Sequence, residues 1–200
     1  MGEPSDRFRA AIARIDAANA EDPTVVDVDG ERVGKELLYA RRMSARLERF
    51  APDASEVLRL AVRAQHLQRW RIPREARPAG TVGYKQWRSE LARMHAELVE
   101  QILRDVGYGG SEIARVRSLV QKRGLGRDDE VQSLEDVACL VFLEHYLGDF
   151  AAGHAAEKVI DVVRKTWRKM SERARREALG LELPSDAHAL VRRALRPEVT

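Results

Sequence analysis

Two histidines, a carboxylate pair and a cluster of arginines are the residues of this chain best suited to chemistry. The stretch LRLAVRAQHLQRWRIPR, residues 58–74, runs from an apolar face into His66, which is bracketed by Arg63 and Arg69. An imidazole titrates near neutral pH, so it can move a proton, ligate a metal or hold a hydrogen-bonded ligand. His95 and His145 also lie on or beside apolar segments. Any one of them, taken alone, reads as a hydrogen-bonded boundary residue. Glu135-Asp136 stands just before the most hydrophobic run, VACLVFLE, where negative charge is favoured at a helix start and where Asp136 can both cap and ligate.

Around WRIPREARPAGTVGY, which holds two prolines and two glycines, gather Arg63, Arg69, Arg71, Arg74, Lys85 and Arg88, together with Trp70, Tyr84 and Trp87. Guanidinium groups pair with phosphate, sulfate or carboxylate, and aromatic faces stack on planar groups. Arg63, Arg69, Arg74, Lys85, Arg88 and Trp70 are therefore expected to line a pocket for a small anionic ligand. The alternative is a solvated basic loop with its aromatics tucked inward. KTWRKMSER, residues 165–173, resembles the KMSKS loop of class I aminoacyl-tRNA synthetases, but the chain has neither a HIGH motif nor the alternating strands and helices such enzymes need. Walker A, GxGxxG, HExxH, CxxC and GxSxG patterns are absent. Cys139, within VACLVF, reads as a small buried hydrophobe.

The elements that must position these residues are helices. Helical spacing of apolar residues predicts helices over 5–20, 35–50, from about 55 to His66, 84–106, 111–122 and a buried one opened by Glu135-Asp136, with further amphipathic helices near 157–170, 172–179 and 185–195. Val25, Val26 and Val28 before Asp29-Gly30 suggest a small N-terminal hairpin. With 200 residues, 44% of them hydrophobic, and no internal repeat or linker, one domain spanning 1–200 is expected: an all-α helical bundle. No apolar run reaches the ~18 residues of a membrane span, and MGEPSDRFRAAIARID has no leader-like apolar core, so no membrane association is expected. A single cysteine suits a reducing compartment, the cytoplasm. The 35 basic residues are interspersed among 32 acidic ones, which argues against a dedicated nucleic-acid binder and leaves homo-oligomerisation open.

RAQHLQRWRIPR, GYKQWR, MHAELVEQILRDVGY, LEDVACLVFLEHYLGDFA and RKTWRKMS together resemble the domain of unknown function 4202 family, from about Phe8 to Leu195. More distantly, the order of QHLQRW, HAELVEQILRDVGY and DEVQSLEDVACLVFLE resembles the HD-domain superfamily of metal-dependent phosphohydrolases. That resemblance implies an HD-like bundle in which His66, His95 and Asp136 converge as the catalytic set. The same three, helped by Glu135 or Gln65, would hold a divalent transition metal whose bound water attacks phosphorus. Two positions depart from the superfamily's pattern: Leu67 stands where the Asp of the His-Asp pair belongs, and Tyr39 about where the first His belongs. Two functions follow as expectations. One is an HD-like metal-dependent phosphohydrolase acting on a small anionic, nucleotide-like substrate. The other is a catalytically degenerate HD-like module that binds such an anion or a protein partner.

Overall fold

A computed structural model describes residues 5–196; the opening MGEP, part of the stretch read above for a leader, lies outside them. The architecture is all-α with a single small hairpin among the described residues. The chain divides after Gly124 into two compact units.

In the first unit, α1 (Asp6–Ala20) starts where the Ser5 hydroxyl accepts the Phe8 N–H at 3.2 Å, satisfying one of the helix's orphan donors. The strands β1 (Val25–Val28) and β2 (Glu31–Gly34) pair antiparallel with Val26 opposite Val33. Their turn has positive φ at both Asp29 (52°) and Gly30 (81°), the conformation that matches a two-residue hairpin to strand twist. The helix α2 (Lys35–Phe50) follows without a side-chain cap of its own. Asp22 takes that role from a distance, its carboxylate accepting the N–H groups of Thr24 (2.8 Å) and Glu36 (3.0 Å).

Ser55 caps α3 (Glu56–Arg63), whose Leu60, Ala61 and Val62 are fully buried against α1, α2 and α5 (Gly110–Val120). The expected helix through His66 stops sooner. Residues 64–68 form turns instead, closed by Leu67 N–H to Ala64 O (3.1 Å) and Arg69 N–H to His66 O (3.0 Å). Gln68 sits in the left-handed region (φ 51°), which no helix can continue through. Two single-turn 3-10 segments, Arg69–Arg71 and Arg74–Ala76, lead to α4 (Gly80–Asp105). That helix starts at Gly80 rather than Tyr84. Its first turn lies against the Pro78 carbonyl, with which any Cβ at Gly83 would collide, so Gly83 is a packing glycine and not a helix breaker.

In the second unit, α6 (Asp129–His145) packs against α7 (Leu147–Ala152), α8 (Ala156–Lys169) and α9 (Glu172–Leu179), while α10 (Ser185–Leu195) lies against α7 and α8. Asp128 caps α6, accepting from Glu130 and Val131 N–H. Glu135-Asp136 thus lies nearly two turns inside the helix rather than opening it. Both residues are buried there, in the same helix as Val131, Leu134, Val137 and Leu140. No helix among the described residues is long and apolar enough to cross a membrane.

Candidate functional site

His66 and His95 come together in the first unit, their ring centroids 6.2 Å apart. Their protonation follows from their partners. The Arg69 guanidinium, which can only donate, lies 3.0 Å from His66 Nε2, so that nitrogen must accept. The His66 proton is then on Nδ1, where it is donated to Glu36 Oε2 at 3.2 Å. His95 Nδ1 faces the Leu67 carbonyl at 2.7 Å, and a carbonyl only accepts, so Nδ1–H donates and the Nε2 lone pair is left for a ligand. Leu67, the departure from the HD pattern, thus buries its side chain completely and orients His95 through its backbone. Tyr39, the other departure, stacks on His66 with ring centroids 3.9 Å apart and planes within 10°.

Burial decides the charges. It lowers His66 well below the usual imidazole range, with further lowering from Arg69, His95, Arg88 and Lys122. It also brings His95 down to about 4, opposed by the bond to Leu67 O and reinforced by Arg69 and Arg88. Both imidazoles are therefore neutral at physiological pH. Burial pushes Glu36 up to about 7 despite the pull of Arg69, so at neutral pH this carboxyl carries only part of a charge. Arg69 consequently keeps a net positive field. It is held by His66, by Glu36 Oε1 at 3.9 Å and by the face of Trp87, 4.7 Å from its guanidinium carbon. Trp87 is itself fixed by donating its indole N–H to Ile72 O at 2.8 Å.

His66, His95 and Arg69 border a cavity of about 1020 Å³ lying wholly within the first unit. Seven basic residues line it (Arg69, Arg77, Lys85, Arg88, Arg93, Lys122 and Arg123) against one carboxylate, Glu90, which is paired with Arg77 at 2.5 Å. Lys85, Arg88, Arg93 and Arg123 have no carboxylate partner among the described residues.

Of the residues expected from sequence, His66, His95, Arg69, Lys85 and Arg88 line this cavity. Arg63 does not; it forms a two-pronged ion pair with Asp16 at 2.7 and 2.6 Å. Arg74 donates to the carbonyls of Arg77 and Pro78 and lies near the Tyr84 and Trp87 rings. Trp70 is not a lining residue, and it is Trp87 that carries Arg69. Asp136 and Glu135 belong to the second unit. Asp136 Oδ1 accepts from Ser171 N–H (2.8 Å) and Gln132 Nε2 (2.9 Å), and its Oδ2 is 2.5 Å from the Ser171 hydroxyl, which anchors the start of α9. Glu135 pairs with Lys169 at 3.4 Å.

Sequence reasoning missed Glu36 and the end of α5, and had Gln65 only as an aid to a metal site rather than as a lining residue of this cavity. Glu36 carried a legible signal, since it shares the helical stripe of Ala40, Met43, Leu47 and Phe50, and a carboxylate on a core-facing stripe must be neutral or paired. Among the described residues, no group of three or more His, Cys, Asp or Glu is arranged to hold a metal ion. In the first unit the Arg69 guanidinium stands at the His66 lone pair that a metal would need. Residues 9–191 match the family model described as Domain of unknown function (DUF4202). No curated protein and no solved structure matches the chain.

Proposed function

We propose, for a chain that belongs to the DUF4202 family, that the first unit is a binding module for a small anionic ligand and acts in the cytoplasm. The observation that carries this reading is the set of seven basic side chains lining one cavity, four of which lack a carboxylate partner among the described residues. Cations held close together without counter-charges repel one another, and an anion between them relieves that repulsion. Arg69 is already fixed on three sides, so little side-chain entropy is lost when it engages a ligand.

Calorimetric titration with inorganic phosphate tests the reading. Wild-type protein should bind, and Arg88→Ala should weaken binding by ~1.5 to 3 kcal/mol, the scale of a charge-assisted hydrogen bond. Absence of phosphate binding by the wild type, or equal binding by the variant, would remove the proposal.

A second reading, metal-assisted phosphohydrolysis in the HD manner, is supported by two neutral imidazoles so close together, since metal ligation requires the neutral form. It requires Arg69 to leave His66 Nε2 and a carboxylate to join the pair. Elemental analysis of protein purified without chelator separates the two readings: a transition metal near one equivalent supports the hydrolase, and less than about a tenth, not restored on reconstitution, supports the binding module.

A further inference from the structure

We infer that the anion is the phosphate of a hydroxyl-rich compound, a polyol or sugar phosphate, whose hydroxyls donate to His95 Nε2 and Gln65 Oε1 while Arg88 and its basic neighbours hold the phosphate. The inference rests on the anion-binding reading and adds the class of ligand.

The argument starts from acceptors that have no donors. Gln65 is 5% exposed and lines the cavity. Its Nε2 donates to the Val120 carbonyl at 3.4 Å, which directs the amide, but its Oε1 is buried with no hydrogen-bond partner. A buried acceptor left unmade is costly, so a ligand donor that the Gln65 amide turns to meet recovers that cost. His95 Nε2 is the second acceptor, because Leu67 O holds the proton on Nδ1. Both acceptors are neutral, and together they select for O–H or N–H groups on the ligand.

The wall then selects between kinds of donor. Apart from Leu91, Ala92 and Val120, every lining residue is polar or charged. Tyr39 covers one face of His66, and Trp70, Tyr84 and Trp87 are not among the lining residues, so no Trp or Tyr ring lines the cavity for a planar base to stack on. Hydroxyl groups, which need acceptors and no flat apolar face, suit this wall better than a nucleobase.

Calorimetry with ethyl phosphate, glycerol phosphate and adenosine monophosphate tests the inference. The first two carry the same anion without and with hydroxyl donors, and the third adds a planar base. Wild-type protein should prefer glycerol phosphate to ethyl phosphate by about tenfold, the worth of one net hydrogen bond. That ratio should fall toward one in Gln65→Leu and in His95→Asn, the latter keeping a donor for Leu67 O while leaving no acceptor at the position of Nε2. It should persist in Arg88→Ala, which weakens both ligands together. Thermal denaturation of each variant establishes that it is folded, and His95→Asn serves should Gln65→Leu fail to fold. Equal binding of ethyl and glycerol phosphate, an unchanged ratio in both variants, or a preference for adenosine monophosphate over glycerol phosphate would overturn the ligand class and leave anion binding standing. If none of the three binds, both fall.

Discussion

At His66, a guanidinium that can only donate settles which ring nitrogen carries the proton, and that assignment makes Glu36 an acceptor in either of its own protonation states. Burial raises the Glu36 carboxyl from 4.5 to about 7, so the folded state holds this proton more tightly than the unfolded chain does. Its contribution to stability is complete below pH 4.5 and is lost as pH rises to about 7. Glu36→Gln stays neutral and still accepts from His66. Its melting temperature should match wild type near pH 4.5 and exceed it increasingly up to neutral pH, by the equivalent of roughly 2 to 4 kcal/mol. A gap independent of pH would show that Glu36 is not protonated by burial. His95 runs the other way: held down to about 4, it contributes stability above its ordinary 6.5 that is lost as pH falls toward 4. The acid limb therefore remains in the Glu36→Gln variant.

The turn after α3 is the element that aims both His66 and Arg69. Gln68 adopts φ 51°, and its N–H is taken by Asn19 Oδ1 at 2.9 Å, from the last turn of α1. Asn19 is fully buried, and Asn19→Ala would leave that N–H without its acceptor, which should cost ~1 to 3 kcal/mol in chemical denaturation. It should also weaken phosphate binding several-fold, because Arg69 follows the turn directly. Wild-type phosphate affinity in this variant would mean that the turn does not position the site. Much of the element plan was legible in sequence, since Ser5, Ser55 and Asp29-Gly30 each carry a local signal with one physical outcome. The early stop at Arg63 and the early start at Gly80 were not. The first depends on Asn19, 49 residues from Gln68 along the chain. The second depends on a contact between Gly83 and the Pro78 carbonyl, which turns a residue that weakens isolated helices into one that permits close packing.

For the molecule as a whole, a net charge of only +3 conceals a concentrated basic cavity in the first unit. Charge interactions across such a cavity are screened when the Debye length shrinks from roughly 10 Å at 0.1 M salt to about 3 Å at 1 M. Phosphate affinity should therefore fall several-fold as potassium chloride is raised across that range, and less steeply in Arg88→Ala; an affinity indifferent to salt would contradict cation-driven binding. Sequence by itself determined the all-α class, the hairpin, and the presence of arginines and histidines around one loop, because periodicity, caps and turn residues act over a few neighbours. Tertiary structure alone decided which of these residues share a cavity. Arg63 was drawn off by Asp16, 47 residues away, while Glu36 was brought to His66 across 30, and Asp136 was committed to Ser171 across 35. A side chain's charge and partners are set by burial and by the groups that packing brings beside it, and neither is encoded in the residues next to it in the chain.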